Sequence, residues 1–214
     1  MFIGHYAAGL AAKKIEPKVS LGVLFMGTQL LDLLFPLFVL LGLEDVRFNH
    51  SLGTFNGLDL IHVPWSHGLV ASLLWSLLAA GIGYLYYKTL KASLVIGLSV
   101  FSHWILDWVT HIPDLPLFMS APKFGLGLWT STYGTLAVEG IFFITSVVLY
   151  LKTVSLTSMR QKILFWSMLV FLMVIYLGNI LSPMQPESLT AHQIVMPMLG
   201  LWLMVFWGHF ADKK

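Results

Sequence analysis

The chain has 214 residues, of which 57% are hydrophobic and only 10% are charged, with a formal net charge of +2. This composition excludes a soluble domain, because a core of this size cannot hide so much apolar surface from water. The small net charge argues against a nucleic-acid partner, and the absence of cysteine excludes disulfides and thiolate metal sites. The composition therefore predicts a single integral membrane domain over residues 1–214.

A short apolar segment begins the chain, and six longer apolar runs follow. The segment MFIGHYAAGLAA is too short to cross a bilayer, which takes about 20 helical residues, and it lacks the basic region and cleavage site of a signal peptide. The longer runs are residues 19–43, 68–87, 92–112, 135–151, 163–181 and 192–210. They predict an all-α, polytopic transmembrane bundle of about six membrane helices.

Lysine and arginine are unevenly distributed between the two sides that six crossings define. With the amino terminus inside, ten of the twelve lie on one side, and only Arg47 and Lys123 lie on the other. The positive-inside rule then predicts that both termini are cytoplasmic. The longer loops, residues 44–67, 113–134 and 182–191, would lie outside, and their glycines and prolines predict a loop cap.

The segment SHWILDWVTHIPDL, residues 102–115, places ionisable side chains inside an apolar run. His103, Asp107 and His111 are four residues apart, so they lie on one face of a helix. Asp114 follows just after Pro113, which ends the helix. One imidazole on each side of the carboxylate gives a row of three candidate metal ligands along the helix, called the ladder below.

Other ionisable residues are predicted at similar depth. Counting ~1.5 Å per helical residue from the cytoplasmic lysines gives two levels, about 18–21 Å and about 30–32 Å from the inner face, with Asp107 between them. The first level contains Asp32, His103 and Glu139, and the second contains His67, His111 and His192. Such convergence of polar side chains predicts one site in the outer half of the membrane.

The two aspartates at this depth need a compensating positive charge. An aspartate at the centre of a membrane helix costs about 2.5–3.5 kcal/mol, and neither Asp32 nor Asp107 has a lysine or arginine at its level. A divalent ion would supply the charge. Imidazoles beside carboxylates favour zinc, with manganese or iron as alternatives, over calcium and magnesium.

The order of the motifs resembles that of the bacterial membrane-bound metal-dependent hydrolases. The motifs are FIGHYAAGLAAK, QLLDLLFP, PWSHGLVASLLW and SHWILDWVTH. The resemblance covers about residues 2–115, whereas the three helices within residues 134–214 match only as apolar spans. Carried over residue by residue, it implies metal ligands at His5, Asp32, His67, His103 and Asp107.

The chain departs from the family pattern at two positions. The family usually has Pro-Asp-x-Asp at the first aspartate and His-Ser at the second histidine. This chain has Leu-Leu-Asp-Leu, and Gly68 follows His67. The missing second aspartate would leave a metal position empty or transfer it to Glu139, Asp114 or His62.

Two locations are predicted for His5. The topology places it on the cytoplasmic side, far from the ladder, as an interfacial residue. The resemblance instead implies that it belongs with the ligands. That requires the first twelve residues to form a re-entrant half-helix whose backbone is covered by protein.

The predicted function is metal-dependent hydrolysis in the bacterial inner membrane, with the site facing outward. A zinc ion held by Asp32, His67, His103 and Asp107 would lower the pKa of a bound water toward about 7 and polarise an ester. Glu139 or Asp114 would act as general base, and His111 would hold a second ion or bind a ligand. The family's proposed kinship with zinc-dependent phospholipase C implies a phosphoester of a lipid or lipid-linked substrate.

Three other functions share these features. A proton- or cation-coupled transporter would use the same cluster, although no ionisable pathway continues from it to the cytoplasmic face. A haem-binding bundle would use paired histidines, but the adjacent carboxylates do not suit it. A structural scaffold would carry the buried aspartates without using them.

Overall fold

The computed structural model describes residues 1–213, which fold as a helical bundle with two small hairpins. The helices are α1 (Ile3–Ile15), α2 (Leu21–Thr28), α3 (Leu30–Leu40), α4 (Leu69–Tyr87), α5 (Leu90–Thr110), α6 (Thr132–Thr153), α7 (Met159–Leu181), α8 (Ala191–Val195) and α9 (Leu201–Asp212). The strands are β1 (Asp45–Phe48), β2 (Leu58–His62), β3 (Leu115–Pro116) and β4 (Lys123–Phe124), paired as two antiparallel hairpins. The all-α polytopic prediction is confirmed.

The membrane spans agree with the sequence at five positions and differ at the first. Helices α4, α5, α6 and α7 and the segment Ala191–Asp212 are each long and apolar enough to cross a membrane. The predicted first span is divided into α2 and α3, which meet at Gln29 with a bend of 53°. The chain is thus a multi-pass membrane protein with up to six spans within residues 1–213.

The bend has a visible cause in the hydrogen bonding of the helix. Nδ1 of His103 lies 2.7 Å from the backbone oxygen of Thr28, the last residue of α2. Helices kink sharply where a side chain inserts into the backbone ladder. The bend therefore couples α2 to α5, and it brings Asp32 on α3 to the face of α5 that carries the ladder.

Helix α1 lies inside the bundle rather than at its edge. It packs against α2, α5 and α6, and nine of its thirteen residues are buried. Small residues permit this contact: a Cβ atom at Gly9 would lie 2.7 Å from the ring of Phe25. The backbone of α1 is therefore covered by protein, as the alternative for residues 1–12 requires, and the interfacial location of His5 is wrong.

The loops that follow α3, α5 and α7 meet at one end of the bundle. The side chain of Lys123 donates hydrogen bonds to the backbone oxygens of Leu60 and Ile61. The backbone N–H of His50 donates to Glu187, which lies in the loop before α8. These contacts form a cap over the same end at which the ladder of α5 terminates.

At the opposite end, one buried carboxylate joins four helices. Asp212 at the end of α9 accepts hydrogen bonds from the Lys13 ammonium of α1, the Leu21 N–H of α2 and the Tyr150 hydroxyl of α6. The side chains of Lys13 and Asp212 are only 6% and 7% exposed. This ion pair joins the carboxyl-terminal end of α1 to α9.

Candidate metal centre

Asp107 is the centre of the cluster that α5 carries. Asp107 is buried, with 2% of its surface exposed. Nε2 of His103 lies 2.9 Å from Oδ2, and Nε2 of His111 lies 3.9 Å from Oδ1. His111 is the C-cap of α5, which ends before Pro113 as predicted. The four-residue spacing therefore places all three side chains on one helix face.

His67 approaches the Oδ2 side of this carboxylate, and Asp32 lies beside His67 and His103. His67, just before α4, places Nε2 at 3.6 Å from Asp107 Oδ2 and 3.4 Å from Asp32 Oδ1. Asp32 Oδ1 also lies 3.7 Å from Nε2 of His103. The tertiary structure thus brings together Asp32, His67, His103 and Asp107, the four ligands predicted for one ion.

His5 approaches the other oxygen of Asp107. Its Nε2 atom lies 3.0 Å from Oδ1, and its ring stacks on that of His103 with centroids 3.7 Å apart and an angle of 4° between the planes. The Met1 amino nitrogen also contacts Oδ1. Helix α1 therefore delivers a fifth predicted ligand to the centre.

The partner of the second nitrogen sets the tautomer of His103. Its Nδ1 atom lies 2.7 Å from the Thr28 carbonyl oxygen, which can only accept a hydrogen bond. Nδ1 of the neutral ring therefore carries the proton, and Nε2 presents a lone pair toward Asp107. Consistently, His103 Nε2 is buried and makes no hydrogen bond within residues 1–213.

The same arrangement orients the other two histidines. The Ser66 hydroxyl donates to Glu44 and lies 2.7 Å from Nδ1 of His67, so its oxygen accepts the Nδ1 proton. Nδ1 of His111 lies 3.1 Å from a carboxylate oxygen of Asp114. Metal-binding histidines characteristically give their second N–H to a carboxylate, carbonyl or similar acceptor. The surroundings thus direct three Nε2 lone pairs toward Asp107.

A lone pair facing a carboxylate oxygen at 2.9 Å is repulsive unless a cation is shared by the two atoms. Burial lowers the pKa of His67, but the adjacent Asp32 carboxylate outweighs that effect and raises this pKa above its ordinary value. The cluster therefore favours a positive charge, which either a proton or a metal ion can supply. The donor set of imidazole nitrogens and carboxylate oxygens suits a borderline ion such as zinc.

The remaining predicted residues take different positions. Glu139 on α6 accepts hydrogen bonds from the N–H groups of Phe2 and Gly4, at the amino end of α1, where a negative charge is stabilising. Asp114 contacts His111. His62 lies at the end of β2 opposite Asp45 and belongs to neither group of candidate metal ligands found within residues 1–213.

Sequence reasoning missed the groups that orient His67. Glu44 accepts hydrogen bonds from the N–H groups of Trp65 and Ser66 as well as from the Ser66 hydroxyl. It precedes Ser66 by 22 residues, and no spacing rule connects the two. Within the local sequence, only the position of Ser66 directly before His67 indicated that Ser66 could orient this histidine. His192, which was predicted at the level of His67, is exposed on α8 instead.

A cavity of about 710 Å³ leads to the centre. Its polar end is lined by Asp32, His67, Asp107, His111 and Glu139. Its other end is lined by apolar side chains of α7, α9 and the turn between α8 and α9, among them Phe171, Ile175, Met198 and Leu203. Because Phe171, Ile175 and Leu203 are themselves exposed on the bundle surface, the apolar end reaches the lipid-facing side.

Replacing Ser66 with alanine is expected to weaken metal binding by about 10–100-fold, the usual effect of losing an outer-shell partner. The substitution removes only the acceptor of the His67 Nδ1 proton, because Glu44 keeps its two backbone hydrogen bonds. Competition with a chromophoric chelator measures the affinity. Ser51→Ala in the cap is the matched control, and equal affinity in both variants would contradict the assigned role of Ser66.

No family model, curated protein or solved structure matches this chain.

Proposed function

We propose that this protein is a membrane-embedded, metal-dependent hydrolase. The observation that supports it most is the set of four candidate ligand atoms Asp32 Oδ1, His67 Nε2, His103 Nε2 and Asp107 Oδ2, in which each nitrogen lies 2.9–3.7 Å from both oxygens. A tetrahedral zinc ion with bonds of about 2.0–2.1 Å separates its ligands by about 3.3–3.4 Å. The nitrogen–oxygen distances lie around this value, which supports zinc as the bound ion, with manganese or iron as alternatives.

The surrounding residues suit hydrolysis of an ester. A bound zinc ion supplies an activated water at neutral pH and polarises the substrate. Glu139 lines the cavity beside Asp107, and we assign it the role of general base. Asp114 acts as a positioning residue, because its carboxylate contacts His111. In the reaction, the water oxygen bonds to phosphorus, the P–O ester bond breaks, and the leaving alcohol takes up a proton.

The substrate proposed for this site is a phosphoester of a lipid or lipid-linked molecule. The cavity combines a polar end at the metal ligands with an apolar end that reaches the lipid-facing surface. An amphiphile fits this arrangement with its headgroup at Asp107 and its chain along α7 and α9. The excess of lysine and arginine at the opposite end supports an orientation in which the site lies in the outer half of the bacterial inner membrane and the carboxyl terminus is cytoplasmic. In this orientation the amino terminus is not cytoplasmic, because Met1 contacts Asp107.

Hydrolysis in proteoliposomes tests the proposal. We expect zinc-loaded protein to release phosphate or a phosphorylated headgroup from a mixture of bacterial phospholipids, and a chelator to stop the release. Glu139→Gln is expected to slow the reaction by about 10²–10⁴-fold while bound zinc is retained. Glu187→Gln, which changes an exposed glutamate of the cap, is the matched control.

Two results would overturn the hydrolase proposal. One is purified protein that binds no zinc, manganese or iron after reconstitution. The other is metal-loaded protein that hydrolyses neither phospholipids nor a soluble phosphodiester. Metal accumulation inside the vesicles without hydrolysis would instead support the transporter alternative.

A further inference from the structure

We infer that the centre binds two metal ions, one on each oxygen of Asp107. This inference rests on the metal site of the proposed function and extends it. The first ion is the one held by Asp32, His67, His103 and Oδ2 of Asp107. The second would lie on the Oδ1 side, between His5 and His111.

The stacked rings of His5 and His103 are the main evidence. The lone pair of an imidazole nitrogen lies in the plane of its ring. The two rings are parallel within 4°, and their centroids are 3.7 Å apart. Their lone pairs therefore point along parallel planes and do not converge on one ion. If both histidines bind metal, each needs an ion of its own.

The two oxygens of Asp107 face different histidines of this stacked pair. His5 Nε2 lies 3.0 Å from Oδ1, whereas His103 Nε2 lies 2.9 Å from Oδ2. A carboxylate whose two oxygens face separate ligand sets is suited to bridge two ions. Two-metal hydrolytic centres hold their ions about 3.5–4 Å apart, which is comparable to the 3.7 Å between the stacked rings.

The second ion would take its ligands from His5, His111 and Oδ1 of Asp107. His111 Nε2 lies 3.9 Å from Oδ1, and Asp114 holds its Nδ1 atom as a metal ligand requires. His5 Nδ1 has no partner within residues 1–213, so either of its nitrogens can carry the proton. The Met1 nitrogen now contacts Oδ1 and must give way to the ion. The cavity beside His111 leaves a coordination position for water or substrate.

Charge balance supports the same conclusion. Four buried or half-buried carboxylates surround the centre, and within residues 1–213 none of them pairs with a lysine or arginine, although the Met1 ammonium contacts Asp107. They are Asp32, Asp107, Asp114 and Glu139. One divalent ion together with the Met1 ammonium would leave one negative charge uncompensated at membrane depth, where it is costly. Two divalent ions would balance all four.

Metal stoichiometry tests the inference on full-length protein purified without a histidine tag and reconstituted with zinc or manganese. We expect two equivalents per chain in the wild type by plasma mass spectrometry. His111→Ala is expected to retain one equivalent, and His192→Ala, which changes an exposed histidine, to retain two. His5→Gln is a second variant for the same position, should His111→Ala fail to fold.

Electron paramagnetic resonance of the manganese-loaded wild type needs no variant. Two ions that share Asp107 should give an exchange-coupled spectrum, and His111→Ala should give that of an isolated ion. One equivalent in the wild type, unchanged in His111→Ala and without coupling, would overturn the second ion and leave the proposed hydrolase intact. A wild type with no bound metal would overturn both.

Discussion

Asp107→Asn is expected to abolish metal binding. Each oxygen of Asp107 faces an imidazole nitrogen: Oδ2 lies 2.9 Å from His103 Nε2, and Oδ1 lies 3.0 Å from His5 Nε2. Both sets of candidate ligands therefore depend on this carboxylate, either directly or through a residue that contacts it. Asparagine keeps the size of the side chain but offers one neutral oxygen. We expect the affinity for zinc to fall by more than about 100-fold, beyond the range of outer-shell losses, and hydrolysis to fall with it.

Isothermal titration of metal-free protein with zinc measures this loss. Asp59→Asn is the matched control, because Asp59 pairs with Arg47 on the cap and lies outside the centre. Size-exclusion behaviour and helical circular dichroism establish that both variants are folded. A folded Asp107→Asn protein that binds zinc as tightly as the wild type would contradict the assignment of Asp107 as the central ligand.

Asp212→Ala is expected to reduce the free energy of unfolding by about 3–5 kcal/mol, the effect of removing one partner of a buried ion pair. The substitution leaves the buried Lys13 ammonium without its carboxylate. It also removes the acceptor of the Leu21 N–H and of the Tyr150 hydroxyl. Since Lys13 lies on α1, the loss should also loosen the helix that carries His5.

Unfolding in detergent micelles with increasing dodecyl sulfate measures the effect. The double variant Lys13→Met, Asp212→Ala separates the unpaired charge from the lost hydrogen bonds, because it removes both members of the pair. It should recover part of the stability. An Asp212→Ala protein that unfolds like the wild type would show that the pair does not hold the four helices together.

The sequence predicted those features that depend on short-range patterns. A membrane helix needs about 20 apolar residues, so the positions of α4 to α7 follow from composition alone. The ladder of His103, Asp107 and His111 follows from 3.6 residues per turn. Asp32 and His67 could be placed with it because depth in a membrane helix increases by a constant rise per residue.

Contacts between distant segments decided the rest. The bend at Gln29 occurs where Thr28 meets His103, 75 residues further along the chain. A hydropathy window averages over that region and reads α2 and α3 as one span. Likewise, the first twelve residues are too short to span a membrane, so the topology put His5 on the cytoplasmic side. The packing of α1 inside the bundle brings it to Asp107 instead.

By itself, the sequence determined an all-α membrane bundle and the shared helix face of the candidate ligands on α5, because both are properties of a single helix in an apolar solvent. Only the tertiary structure decided that α1 lies inside the bundle, that Glu44 orients His67 through Ser66, and that the rings of His5 and His103 stack. These features depend on packing between segments more than twenty residues apart. No local pattern in the chain encodes the relative orientation of two such segments.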